Sequence, residues 1–420
     1  PAGCRALASG AMANPRTVAT VSILALCQAL TMTCSALVIS ITALVGESLA
    51  PRPGLSTLPL ALQFVALMSV SPVASQFMKR FGRRAGFTQG SLIGIAGGLV
   101  GVLAIQQHSY ALYCLAAVMT GGFLAHGMYY RFAAADAVEP VWRSRAISLV
   151  MAGGVLAAVL GPQIANHARD LIPEATFAGG YLAIAGLCAL SLILVQFAQI
   201  PKPTAEERRE GGRPLARIVR QPALLMAVFC GMVGYGAMNL IMSITPPAMM
   251  GHQHTFGDAA MVIQWHVFAM FAPSFFTGHL IHRFGVRSVM TVGALAMLGA
   301  VAVNVSGTGM AYFAAGLVLL GLGWNFLFVG GTTLVTELHA TAEKAKVQAF
   351  NDVLVFGTVA ATALLSGVVY DALGWTAVNL AVVAPLMAVL AALALVPRAG
   401  PEDAAEAGED GDTAGSPVGS

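Results

Sequence analysis

The chain has 420 residues, of which 57% are hydrophobic and 10% charged, whereas an ordinary soluble domain carries about 25% charged residues. That balance excludes a soluble globular protein, and the formal net charge of +3 gives no nucleic-acid-binding face. Six cysteines without paired spacing (Cys4, Cys27, Cys34, Cys114, Cys188, Cys230) read as small packing residues rather than metal ligands or disulfides.

A bilayer core of roughly 30 Å takes about 20 mainly apolar helical residues per crossing. The sequence predicts twelve such spans, near 17–42, 55–78, 86–106, 110–135, 145–168, 177–199, 222–249, 258–281, 287–306, 310–335, 346–370 and 374–396. Strands would alternate polar and apolar over about ten residues, so the expected class is an all-α membrane protein. The predicted organisation is an N-terminal segment 1–16, a six-helix unit 17–199, a linker 200–221 rich in Pro, Gly and charge, a second unit 222–396, and an acidic tail 397–420. The first apolar run is longer than a signal-peptide core and reads as a retained span. The tail lacks large apolar residues and is expected to remain unfolded. With the first segment placed in the cytoplasm, nineteen of the 22 Lys and Arg residues fall in loops on that side, so both termini are predicted to be cytoplasmic.

One charged turn is written twice, as KRFGRR at 79–84 and HRFGVR at 282–287. Arg80, Phe81, Gly82 and Arg84 match Arg283, Phe284, Gly285 and Arg287 at an offset of 203. Asp136 with Arg143 and Arg145 matches Glu337 with Lys344 and Lys346 at an offset of 201. Two alignments agreeing within two residues point to a duplicated six-helix unit.

The repeated turn resembles the G-x-x-x-D-R-x-G-R-R hallmark of the major facilitator superfamily, and the resemblance runs from about residue 17 to 396. Lys79 replaces the family Asp and Ser75 the family Gly; the second copy keeps Gly278 but carries His282. The resemblance implies two pseudo-symmetric six-helix bundles that rock about a midplane site, and hence a monomeric carrier of a small organic solute with no cofactor. No phosphate-cradling loop, zinc-protease motif or nucleophile with its base points to an enzyme. Arg80, Gly82, Arg84, Arg283, Gly285 and Arg287, with Arg131, Asp136, Glu337 and Asp352, are expected to form a gating charge network. Their basic side chains would bond helix carboxyl ends and acids across the halves, or serve only as topology anchors. Residues 152–165, AGGVLAAVLGPQIA, resemble in part the fifth-helix signature of drug/proton antiporters, but small residues at this spacing equally permit close helix packing.

In that fold the first helix of each three-helix unit faces the cavity, which singles out spans one, four, seven and ten. The expected substrate-binding residues are Gln28, Thr31 and Ser35; His126, Tyr129 and Tyr130; Tyr235 and Asn239; and Trp324, Asn325 and Phe328. Aromatic faces with neutral hydrogen-bonding groups suit a flat, partly polar solute. Arg131 lies within a span and calls for a partner, with Asp352 the best placed. No carboxylate sits at mid-depth, which leaves His126 and His266 as proton carriers and a uniporter as the alternative. The stretches 129–137, 323–337 and 343–357 are similar to a bacterial branch of the superfamily that includes a riboflavin transporter. That similarity implies uptake of riboflavin or a similar heterocycle across the bacterial inner membrane. Multidrug efflux and a non-transporting receptor stay open beside it.

Overall fold

A backbone surrounded by lipid must satisfy its own polar groups, which restricts crossing segments to helices or closed barrels, and this chain takes the helical solution. The computed structural model describes residues 15–52, 54–139, 143–200, 213–339 and 343–397. Nearly all of the N-terminal segment, most of the linker and almost the whole acidic tail lie outside them.

The first half comprises α1 (Pro15–Leu49), α2 (Leu58–Phe81), α3 (Arg83–Gln106), α4 (Tyr110–Gly127), α5 (Tyr130–Asp136), α6 (Arg143–His167) and α7 (Ala178–Phe197). The linker leads through the short α8 (Leu215–Ile218) to α9 (Pro222–Gly251), α10 (Phe256–Phe271), α11 (Ser274–Phe284), α12 (Val286–Ser306), α13 (Met310–Glu337), α14 (Lys344–Leu380) and α15 (Val383–Leu395). No strand occurs among the described residues. Prolines at the first turns of α2 and α9 occupy positions whose N–H groups have no helical partner in any case. Thr255 and Asp258 form a reciprocal cap on α10.

Among the described residues ten helices are long and apolar enough to cross a membrane, or eleven with the pair α10–α11, which bends by 42°. One of the ten is a fifty-residue stretch, Lys346–Leu395, which as a single rod would reach about 75 Å. It breaks at Gly374, whose φ of 79° and ψ of −176° are not helical. Its start adjoins Glu343, which pairs with Arg213. Asp371 then meets Gly54 at the opposite end of the molecule, and Val396 returns to Arg287. The stretch therefore traverses the body twice.

Two large cores form among the described residues, one built mainly from the second half and one mainly from the first, beside two smaller clusters. Glycines bring α1 and α6 close within the first half. A Cβ on Gly161 would lie 2.6 Å from Ala36 Cβ, and one on Gly153 would lie 2.9 Å from Ala29 N. The small residues of the span-five signature thus serve helix packing here. The last part of the expected linker is ordered: Ile218 is buried with Leu224, Val335 and Val347. Arg213 donates from Nε and Nη2 to the two carboxylate oxygens of Glu343, at 2.8 and 2.9 Å. The paired side chains are 6% and 1% exposed, so residues 213–221 belong structurally to the second half.

The halves meet along α2 against α14 and α6 against α10. At the end distant from the repeated turns they are joined by polar contacts. The Gly54 N–H donates to Asp371 and the Gly367 N–H to Thr57 Oγ1, while Gln163 Nε2 donates to Gln264 Oε1 at 2.7 Å. Arg169 lies over Phe177 and Phe256, one from each half. Toward the turn end the contact loosens. Gly357 still adjoins Met68 of α2, but Val353, one helical turn nearer the turn end on the same face of α14, is 47% exposed.

Candidate functional site

Five aromatic residues from four helices of the second half converge where the two cores adjoin. Tyr235 of α9 contacts Trp324 and Phe328 of α13 and Phe356 of α14 edge-on, with centroids 5.4, 5.4 and 5.9 Å apart. Trp324 and Phe328 stack at 5.0 Å with an 11° interplanar angle, and Phe271 of α10 meets the Trp324 ring edge at 5.9 Å. These spacings lie within the favourable range for ring pairs. All five residues lie near the middle of their spans.

The group faces the first half. Tyr235 packs against both cores, and Phe356 belongs to the mainly first-half core. The Phe271 ring lies against Gly154 of α6, where a Cβ would come within 2.9 Å; glycine at 154 leaves room for the ring. Trp324 and Phe328 share one face of α13 by their i, i+4 spacing. Neighbouring positions are committed elsewhere: Gly323 against α12 and Leu327 against Gly234 of α9. The Trp324 indole N–H is buried and has no hydrogen-bond partner among the described residues.

Of the eleven expected binding residues, the structure brings together Tyr235, Trp324 and Phe328. Sequence reasoning missed Phe271 and Phe356, which lie on spans eight and eleven rather than on the first helices of the three-helix units. Their signal was a bulky aromatic at mid-span.

Several other expected lining residues are committed to the fold. Asn325 is buried and brackets the bend between α10 and α11. Its Nδ2 donates to Met270 O and Ser274 Oγ, both at 2.7 Å, and its Oδ1 accepts from Thr277. Proline at 273 lacks an N–H and loosens the local helix pattern, and Asn325 supplies partners there. Asn239 is buried too and donates to Val359 O at 3.1 Å, binding α9 to α14. Thr31 donates to Cys27 O within its own helix and packs against Gly127. His126 points to α3, with Nδ1 2.7 Å from Gly122 O and its side chain against Gly90. Tyr130 stacks on Phe87 at 4.2 Å and bonds Ser191, so it belongs to a smaller first-half cluster with Cys27, Phe87 and Val150. Gln28 is buried without a hydrogen bond to its amide among the described residues, and Ser35 is half-buried.

His266, expected with His126 as a proton carrier, is buried with Nδ1 2.7 Å from Leu317 O of α13, within the second half. Among the described residues no group of three or more His, Cys, Asp or Glu could hold a metal ion.

At the turn end, Gly82 and Gly285 adopt nearly the same backbone, with φ of 93° and 82° and ψ of 156° and 148°, a region open to almost no other residue. Arg84 donates to Ala198 O beyond α7 at 2.7 Å. Arg287 donates to Leu393, Val396 and Pro397 carbonyls at the end of α15. Each arginine thus caps the last helix of its own half. Arg80 and Arg283 are exposed, over the rings of Phe81 and Phe284. Asp136 pairs with Arg83, a residue outside the expected network, and Glu337 is exposed. Arg131 lies over the Phe132 ring and forms no ion pair with its expected partner Asp352 among the described residues. Tyr129 lies beside them and donates to Ser71 O at 2.9 Å.

The comparisons with known proteins agree with this architecture. The Major Facilitator Superfamily profile matches residues 24–245 and again 227–418. The chain is 39% identical over 385 residues to the riboflavin transporter RfnT of Brucella anthropi, covering 91% of this chain and 96% of that protein. It is 28% identical over 359 residues to the uncharacterized MFS-type transporter YdeG of Bacillus subtilis, covering 81% and 83%. Its backbone matches the human organic anion transporter MFSD10 with a TM-score of 0.67 at 14% identity, covering 90% and 100%. The transporter FucP in its outward conformation gives 0.60 at 15%, covering 90% and 99%. These two likenesses are of fold. A family profile matched once in each half, and a relative 39% identical over nearly the full length of both chains, identify this multi-pass membrane protein as a transporter rather than an enzyme: the chain belongs to the major facilitator superfamily.

Proposed function

We propose that the chain carries a flat, partly polar organic solute, riboflavin or a similar heterocycle, across a bacterial inner membrane by alternating access. The observation that carries the reading is the mid-depth aromatic group at the boundary of the halves, which suits stacking against a planar ring system. The riboflavin transporter among its relatives favours uptake of that solute class. In this reading the chain crosses the membrane twelve times, with both ends and the repeated turns in the cytoplasm. The conformer, joined at the far end and loosened near Val353, is then the one open to the cytoplasm. His126 and His266 are held inside their own halves, so neither is assigned proton coupling.

The test is uptake of labelled riboflavin into a riboflavin-requiring auxotroph expressing the full chain. Growth and accumulation are expected, with both falling at least tenfold in Tyr235→Ala at equal membrane abundance. Absence of uptake together with efflux of cationic dyes would replace this reading with the multidrug one.

A further inference from the structure

The aromatic group contains two polar atoms, the Tyr235 hydroxyl and the Trp324 indole N–H, and the indole nitrogen is the fully buried one without a partner among the described residues. Trp324 is 5% exposed, and its indole N–H lacks a partner among the described residues. A buried donor left unsatisfied is costly and rare, and such a group calls for an explanation. Asn325 is used by the bent helix and Asn239 by α14; His266 bonds the Leu317 carbonyl through Nδ1, while its Nε2, in the body of the second half, is likewise buried without a partner among the described residues. Phe271 and Phe328 beside the indole carry no lone pair, and the Tyr235 hydroxyl, whose ring meets Trp324 edge-on, forms no hydrogen bond with it.

We infer that Trp324 is the specificity donor of the solute site: its indole N–H bonds an acceptor on the rim of a planar ring system that enters the aromatic group, selecting dione-type heterocycles over plain aromatic ones. The inference rests on reading this group as the solute site. Stacking alone is indifferent to what the ring edge carries, because every aromatic face offers similar contact. A single buried donor discriminates, since a ligand without an acceptor leaves it unpaired. Entry of the solute re-spaces the rings around the indole, most directly Tyr235 and Phe328, which are only half-buried.

The test measures ligand binding to the purified full chain in detergent, by thermal stabilisation and by fluorescence. The probes are riboflavin, lumichrome and trimethylammoniomethyl-anthracene, a soluble tricycle with no hydrogen-bond acceptor. Trp324→Phe keeps a ring in place and removes the donor. The variant should weaken riboflavin and lumichrome by about tenfold, the worth of one buried hydrogen bond, and leave the anthracene unchanged. A loss shared equally by all three probes, or no loss, overturns the donor role while the aromatic site stands. If lumichrome binds through Trp324 and riboflavin does not bind, the inference holds and the riboflavin reading falls. Binding by none of the three to the wild-type chain overturns both.

Discussion

The two copies of the repeated turn share a backbone and diverge in their charges. Gly82 and Gly285 bend the chain in the same way, and Arg84 and Arg287 each close off the last helix of their own half. In the first half a further arginine, Arg83, ties the turn to Asp136 at the end of α5. The second half has Val286 at the matching position, and its matching acid, Glu337, is exposed. Its ionic anchor is instead the buried pair of Arg213 and Glu343, which draws the end of the linker onto α14. Duplication preserved what the helix ends require, and each half solved the fastening of its loops separately.

Four sets of substitutions probe that contrast, each read by reversible unfolding or thermal melting of the detergent-solubilised chain. Glu343→Gln should have the largest effect, about 3 kcal/mol, because it leaves a guanidinium unpaired in a buried place; an unchanged melting temperature would contradict the anchor. Gly82→Ala and Gly285→Ala should each cost about 2 kcal/mol, and equally, since both glycines hold a conformation that disfavours any Cβ. A clear inequality would mean that the shared backbone is not under shared strain. Arg287→Gln should cost about 1.5 kcal/mol and Arg84→Gln about 1 kcal/mol, in line with several carbonyl partners against one. Equal losses would count against capping as the cause. Asp136→Asn should cost under about 1 kcal/mol, as partly exposed pairs do, and Glu337→Gln should fall within about 0.5 kcal/mol of wild type. A larger loss at Glu337 than at Asp136 would reverse the contrast.

The spans, the duplication and the glycine corners were legible because hydrophobic run length and a literal repeat carry them. What each polar side chain faces was harder to read. Trp324 and Asn325 are adjacent in sequence, yet successive residues project about 100° apart around a helix, so one joins the aromatic group and the other braces a bent neighbour. His126 lies at the end of α4 and Tyr130 opens α5, and both look toward α3 or α7. Thr31 had a carbonyl within its own helix to satisfy it. Phe271 and Phe356 escaped because an aromatic in an apolar run looks like any other core residue until its neighbours are known. Helix neighbours, and with them the composition of a cavity wall, are properties of tertiary packing that periodicity does not encode.

Gly374 interrupts what would otherwise be one fifty-residue apolar rod. Because the chain doubles back there, Val396 comes back beside Arg287 at the turn end of the second half. A residue that resisted a φ near 79° would favour a single continuous rod and carry Val396 away from Arg287, so one achiral position governs whether the last helix can return to its cap.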